Sequence, residues 1–379
     1  MERIELGNLL RETGCAEDCG DAVFLCDPKW RVAQRAVVDR LKMEIEDGKS
    51  KISEGWLCVP TGGTSGGVRF ARHDELTLGA AVSGFCRHFN LKRVNAVDVL
   101  PAYHVSGLMT RVRCAATGGE HVAWEWKRLE AGETPTVVGG DWVISLVPTQ
   151  LQRLLASRRM IAWLREFEII FVGGGPVWPE LADAAASARL RVALTYGMTE
   201  TAAMVVALRP EEFLAGARSC GAALPHAAVS VNADGVVTIA GESVFRGYWP
   251  ETRPEREFTT EDLGRIDEHG QLHLLGRRDA VIITGGKKVQ PAEVEAALRA
   301  SGEFSDVVVM GVPDSEWGEA VVACYPENER VPDLVRATAG LTGPMKPKRF
   351  VAVANWPRNA LGKVNRAELG RVVAANSVE

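Results

Sequence analysis

No stretch of this chain approaches the roughly 18 uninterrupted apolar residues that a membrane-spanning helix needs, which excludes such a helix. Positive charge is not in surplus: 44 Lys and Arg face 49 Asp and Glu, a formal charge of −5. That balance leaves no electrostatic reason to expect nucleic-acid binding. The opening segment, MERIELGNLLRETG, carries charges where a secretory signal needs an apolar core, so secretion is not expected. A metal-binding cysteine pattern is also missing. The chain has 8 cysteines. Cys15, Cys19 and Cys26 come closest to a cluster, but no second CxxC or pair of histidines completes a tetrahedral site. Scattered thiols of this kind read as the reduced cysteines of a cytoplasmic protein. Internal repeats and low-complexity tracts are absent as well.

The 379 residues exceed what one core organises, so two or more domains are expected. Hydrophobic content of 46% and charged content of 25% are those of an ordinary globular protein. Lys29 to Asp47 alternates apolar and charged residues at helical spacing. A short β-like run, Trp56 to Pro60, leads into glycines. WVISLV (142–147) reads as a buried strand, and PTQLQRLLASRR as a helix with Pro148 at its start, where a missing amide costs little. EIIFVGGGP (168–176) is a strand running into glycines, PELADAAASARL a helix, and RVALTYG (191–197) a further strand. Such alternation predicts a parallel α/β sheet with its site at the carboxyl ends of the strands. From about residue 220 to 278 short β-like runs with Asp and Gly turns predict a β-rich subdomain. From Ala280 on, strands and helices alternate in a unit of about a hundred residues, a common domain size. The expected division is 1–278, an N-terminal domain, and 279–379, a small C-terminal α/β domain.

Thr61-Gly62-Gly63-Thr64-Ser65-Gly66-Gly67-Val68-Arg69 follows a strand. Its glycines permit φ > 0, and its amides and hydroxyls suit phosphate oxygens. It is not a Walker A loop, because Val68 and Arg69 stand where that motif has Lys and Ser/Thr. Alone, such a loop is equally well a flexible turn. Further blocks accompany it: Tyr196-Gly197-Met198-Thr199-Glu200, Gly264, Gly276-Arg277-Arg278-Asp279, and Pro357-Arg358-Asn359-Ala360-Leu361-Gly362-Lys363.

Together, over about residues 56 to 370, these blocks resemble the acyl-adenylate-forming (AMP-binding) superfamily of acyl-CoA synthetases, luciferases and peptide-synthetase adenylation domains. Within it the chain is most similar to the 2-succinylbenzoate–CoA ligases of menaquinone and phylloquinone biosynthesis. The segments that carry this are LPAYHVSGL (100–108), SLVPTQL (145–151) and GGxxVxPAEVE (285–295). The resemblance implies a large N-terminal domain of parallel α/β sheets with a β-rich subdomain, and a mobile C-terminal domain. It also implies ATP, Mg²⁺ and coenzyme A, with a small carboxylic acid as substrate.

Residue by residue, the resemblance implies that Thr61, Gly63, Thr64, Ser65 and Gly66 cradle the β- and γ-phosphates, with Arg69 supplying positive charge. Thr199 would bond the α-phosphate and Glu200 hold Mg²⁺, a hard cation suited to oxygen ligands. Tyr196 would stack on adenine beside Gly197, with Gly173, Gly174 and Gly175 as the wall. Asp262 and Arg277 would grip the ribose, and Lys363 would bridge carboxylate and phosphate. Asp279 would be the hinge, and Gly285 and Gly286 would line the pantetheine path. His104 would border the acyl pocket, with Ser106, Arg113, Ser145 and Thr195 as substrate contacts. Arg113 suits a distal carboxylate because a guanidinium pairs with it bidentately. Lys287 and Lys288 would meet coenzyme A phosphates. Plainer roles stay open: a packed histidine at 104, a surface charge at 113, a solvated lysine at 363, and solvated turn residues at Lys287 and Lys288.

The chain departs from the family in the loop, which ends Gly-Val-Arg in place of x-Pro-Lys, and in the length before it, about sixty residues. Glu-Asp-Leu-Gly at Asp262 replaces Gly-Asp-Leu-Gly. Other readings remain: a ligase for another aryl or acyl acid, one serving a carrier-protein thiol, or a catalytically silent nucleotide-binding homologue. A homo-oligomer is compatible with all of them.

Overall fold

The computed structural model describes residues 1–30, 32–46, 54–62, 68–139, 141–304, 306–327, 331–358 and 364–375. They form two compact units. The first comprises Met1–Ser230, Thr238–Thr259 and Ile266–Leu272; the second comprises Val231–Val237, Thr260–Arg265 and His273–Glu379.

The first unit begins with helix α1 (Arg3–Arg11) and a four-stranded sheet of β1 (Ala16–Cys19), β2 (Ala22–Leu25), β3 (Leu57–Gly62) and β4 (Val68–His73), with α2 (Val32–Glu46) between β2 and β3. β3 and β4 pair antiparallel, with Thr61 opposite Arg69 and Gly62 opposite Val68. Helix α3 (Glu75–Phe89) starts directly after β4. Asp74 caps it, its carboxylate accepting from the Thr77 amide at 3.0 Å.

A seven-stranded sheet forms the centre of the unit. Its strands are β5 (Asn95–Asp98), β6 (His121–Ala123), β7 (Trp142–Leu146), β8 (Ile169–Val172), β9 (Val192–Met198), β10 (Ala203–Ala207) and β11 (Ala222–Ala223), in the order β11-β10-β9-β8-β7-β5-β6. β6, β5, β7, β8 and β9 are parallel; β10 runs antiparallel to β9. All four residues of β8, Ile-Ile-Phe-Val, are buried, as expected of a parallel strand covered on both faces. Helix α4 (Val105–Thr117) follows β5, and helices at Pro148–Leu155 and Pro179–Ser187 join β7 to β8 and β8 to β9. One core packs Ile144, Leu146, Ile170, Val172 and Leu194 with Trp163 and Phe167; another packs Phe85 with Val143, Ile169 and Phe171. The helix expected over PTQLQRLLASRR divides in two. Ser157 stops the first part and caps Arg158–Leu164, accepting from the Met160 amide.

A four-stranded sheet follows: β12 (Ala227–Val231), β13 (Val236–Gly241), β14 (Glu257–Ile266) and β15 (Leu272–Arg277). The last sheet, within the second unit, contains β16 (Ile282–Thr284), β17 (Lys287–Val289), β18 (Val308–Asp314), β19 (Gly318–Pro326) and β20 (Arg349–Val353). Helices Pro291–Ala300 and Arg366–Ala375 accompany it, and its core holds Val294, Leu298, Val309 and Val321. Among the described residues no helix is long and apolar enough to cross a membrane. None of the eight cysteines is in a disulfide.

Candidate active site

The residues expected to act fall into two groups, one in each unit. In the first unit β9 ends on Met198, and Thr199-Glu200-Thr201 form a tight turn into β10. The turn is tied from several sides. The Thr201 hydroxyl accepts from the Met198 amide at 3.0 Å and lies 2.7 Å from the Ala203 carbonyl. Ala202 and Ala203 both take left-handed φ, 52° and 75°, a conformation that is costly for residues with a Cβ and that clusters at functional sites. Gly197 is required beside them, since a Cβ there would lie 2.0 Å from the Ala203 carbonyl oxygen.

Glu200 is buried, 6% exposed, and its Oε1 is the meeting point of two hydroxyls. Tyr248 donates to it at 2.6 Å and Thr61 at 3.4 Å. Burial and then the Glu200 charge push the Tyr248 phenol well above its ordinary value, so it stays a donor. Arg69 stacks its guanidinium 4.1 Å over the Tyr248 ring, which links the start of β4 to the same carboxylate. A carboxylate beside hydroxyl oxygens is a hard donor set that suits Mg²⁺, which takes one or two protein carboxylates and fills its remaining positions with phosphate and water.

The backbone of the turn is gripped by His73. Its Nε2 lies 2.7 Å from the Thr199 carbonyl, which can only accept, so Nε2 carries the hydrogen; Nδ1 lies 3.1 Å from the Thr77 hydroxyl. Burial holds the imidazole at about 4, far below its usual range, and keeps it neutral. Next to it Asp74 pairs with Arg246, whose Nε donates to Oδ2 at 2.8 Å, and the Phe245 amide donates to the Glu200 carbonyl at 2.9 Å.

The residues expected to form the adjacent wall and the acid contacts lie on β7 and β9, just after β8, and on α4. Gly173 stands where a Cβ would meet the Thr195 hydroxyl at 2.2 Å; Gly174 and Gly175 are exposed. Ser145 and Thr195 are half-buried, and Tyr196 is buried, at 7% exposure. His104 is the N-cap residue of α4, half-buried, with its ring 4.7 Å from Tyr103; Ser106 lies in the first turn. Further along α4, Arg113 is only 3% exposed. Its guanidinium stacks 4.1 Å over Phe85 of α3, and Nε and Nη2 have no hydrogen-bond partner. Burial pulls it down to about 10. The surface-charge reading of Arg113 is therefore set aside.

In the second unit Arg277 joins the other expected residues. Its Nε and Nη2 grip both oxygens of Asp279, each at 2.8 Å, while Nη1 reaches Asp262 at 3.1 Å. Gly285 and Gly286 form a two-residue hairpin loop between β16 and β17 with φ of 55° and 72°, the positive pair that a type I′ turn demands. A Cβ on Gly285 would lie 3.0 Å from the Trp317 ring. Gly63, Thr64, Ser65, Gly66 and Lys363 lie outside the described residues. The segment holding Lys363 is flanked by a bridge between Arg358 and Val364, and by the Asn365 amide donating to the Pro357 carbonyl at 2.9 Å.

Sequence reasoning missed His73, Asp74, Arg246, Tyr248 and His226. The first two stand at the end of the strand that follows the glycine-rich sequence, and Phe245-Arg246-Gly247-Tyr248-Trp249 is a compact aromatic and basic block. Both were available as signals.

A parallel α/β sheet with a carboxylate turn at its carboxyl edge, followed by a smaller α/β unit, is the build of a nucleotide-handling enzyme. The chain belongs to the AMP-binding enzyme family, which it matches over residues 60–249, with the family's C-terminal domain matched over 293–363. It is 32% identical over 300 residues to a 2-succinylbenzoate–CoA ligase of Geobacillus kaustophilus, covering 72% of this chain and 60% of that one. It is 31% identical over 340 residues to a protein of Mycobacterium tuberculosis named "Probable 2-succinylbenzoate--CoA ligase", covering 85% of each. The chain thus spans 60% of the length of the Geobacillus relative. Its fold is that of the o-succinylbenzoate CoA synthetase of Bacillus subtilis, solved with an acyl-adenylate intermediate. The TM-score is 0.72 at 24% identity, over 84% of this chain and 70% of that one.

Proposed function

We propose that the chain is an ATP-dependent acid–CoA ligase that adenylates a carboxylate, releases pyrophosphate and passes the acyl group to coenzyme A. The favoured acid is 2-succinylbenzoate, which carries a second carboxylate. The observation that carries the choice of acid is Arg113, a buried guanidinium with two unmatched donors and, among the described residues, no carboxylate bonded to it. A buried cation without a partner is expensive, and an anionic ligand that arrives with each catalytic cycle resolves the cost.

In the first half-reaction two anions must be brought together, so the site has to neutralise charge and align the reactants. Thr61, Gly63, Thr64, Ser65 and Gly66, with Arg69, would hold the departing phosphates, and Thr199 the α-phosphate. Glu200 would take Mg²⁺, which supplies charge neutralisation to the phosphate oxygens. Tyr248 and Thr61 would fix the orientation of that carboxylate. Asp262 and Arg277 would hold the ribose, and Lys363 would bridge the two reacting groups. Asp279, held by Arg277, would be the hinge about which the C-terminal domain turns to admit coenzyme A along Gly285 and Gly286. The names of the relatives support this assignment, and a cytoplasmic location would accompany it.

The test is pyrophosphate release with ATP, Mg²⁺ and a panel of acids, with and without coenzyme A. Release with 2-succinylbenzoate, and a coenzyme A thioester seen by mass, is the expected result. Release with another acid alone would retire the favoured substrate. Silence across the panel with nucleotide still bound would leave a non-catalytic homologue.

A further inference from the structure

His226 lies in the turn between β11 and β12, in Leu224-Pro225-His226. It is 8% exposed, and neither Nδ1 nor Nε2 has a hydrogen-bond partner. An imidazole always carries at least one N–H, so a buried ring with both nitrogens unmatched is an unmet demand for a polar ligand. The helix beside it is shaped to receive it. A Cβ on Gly84 would lie 1.8 Å from Nδ1 of His226, so α3 holds glycine at an interior position where glycine weakens a helix.

The next residue on α3, Phe85, carries the Arg113 guanidinium on its face at 4.1 Å. Adjacent residues of one helix thus hold His226 and Arg113. One turn on, His88 adds a buried Nε2, also without a partner. Three elements, α3, α4 and the 224–226 turn, thus carry five unmatched nitrogens, Nε and Nη2 of Arg113, Nδ1 and Nε2 of His226, and Nε2 of His88, and Arg113 and His88 are near enough to His226 to repel a charge on it. The two free nitrogens of Arg113 form the side-on edge of the guanidinium, which takes both oxygens of one carboxylate. Each oxygen then keeps a second lone pair for another donor.

We infer that His226 completes, with Arg113, a seat for the non-reacting carboxylate of the acid, and that His226 makes the pocket select a dicarboxylate over the same acid without that group. This rests on the proposed ligase reading. The charged and titratable groups facing His226 are Arg113 from α4 and Arg87 and His88 from α3. Burial first, and then these neighbours, hold its imidazole down at about 4 in the free protein. A carboxylate on Arg113 offsets that repulsion, so His226 takes up a proton as the dicarboxylate binds.

The experiment compares 2-succinylbenzoate with 3-benzoylpropionate, which has the same skeleton without the ring carboxylate. Wild type, His226→Ala and His226→Asn are assayed by pyrophosphate release, and binding to the full-length wild type is followed by calorimetry in two buffers of different ionisation enthalpy. Wild type should favour the dicarboxylate, and His226→Ala should lower the ratio of kcat/KM values about tenfold, through KM for the dicarboxylate. His226→Asn, which keeps a donor, should recover part of that ratio. Calorimetry should show proton uptake with the dicarboxylate and none with benzoylpropionate. Equal losses on both acids, an unchanged ratio, or binding without proton uptake would overturn the proposal. Wild type that binds succinylbenzoate with proton uptake yet releases no pyrophosphate would refute the ligase reading while leaving the seat intact. Wild type that binds neither acid would end both.

Discussion

Two regions of the first unit bury the same kinds of side chain and treat them in opposite ways. At the junction of β4 and α3, Arg72 is 2% exposed and fully engaged. It donates from Nε to the Gly55 carbonyl at 3.1 Å, from Nη1 to the Thr252 hydroxyl at 2.8 Å and the Glu251 carbonyl at 3.0 Å, and from Nη2 to the Glu54 carbonyl. Arg246, 5% exposed, has Asp74, and His73 has an oxygen beside each ring nitrogen. Where α3 meets α4, Arg113, His226 and His88 are just as withdrawn from water, yet they keep nitrogens with nothing to bond. Burial alone therefore does not separate a structural cation from a binding one; satisfaction of its donors does. The first region is complete as it stands. The second is complete only with a guest.

The contrast should be strongest in stability. Arg246→Met leaves the Asp74 carboxylate buried beside the neutral His73, and should cost about 3–5 kcal/mol in urea unfolding. A loss below about 1 kcal/mol would remove the distinction at its root. Arg113→Met should leave the unfolding free energy unchanged or raise it, because the guanidinium there is buried without compensation. Its effect should fall on the substrate instead, with KM for a dicarboxylate acid raised about 10- to 100-fold. Destabilisation by Arg113→Met as large as that of Arg246→Met would make both arginines structural.

The smallest effect is a pH dependence. His73 stays neutral in the folded protein down to about 4, while the unfolded chain binds a proton below its ordinary 6.5. In that window the unfolded state holds more protons, so stability is fully present above 6.5 and declines as pH falls towards 4. From pH 7 to pH 6 the loss is under about 1 kcal/mol per histidine. His226 should contribute over the same window in the free protein, and bound dicarboxylate should shrink its share but not that of His73. Unfolding curves across this range, with and without the acid, check both points.

Much of this was legible in the sequence. Strand–helix alternation announced the parallel sheet. Tyr196 to Glu200 stood out as a block, and so did Arg277 and Asp279 within one short motif, although their bidentate pairing was not read from it. What was hidden depends on partners far apart in the chain. Tyr248 meets Glu200 across 48 positions and His73 meets Thr199 across 126, so no local period marks them. The fit of Gly84 to His226 is hidden for the same reason. Glycine inside a helix reads as a weak point until the ring that replaces its side chain is seen. The break at Ser157 was missed because the apolar spacing runs on through it, while a single hydroxyl starts a new helix.

His73 has one more consequence. It grips the Thr199 carbonyl as an uncharged ring, in a place that water does not reach. A clamp of that kind has no ionic atmosphere. Dissolved salt, which screens exposed charges over roughly 8 Å, has nothing to act on there. A nucleotide brings several negative charges with it, and an ionic clamp beside the turn would feel each arrival and departure. The imidazole does not, so its hold on the turn that presents Glu200 would not depend on the charge that a nucleotide brings.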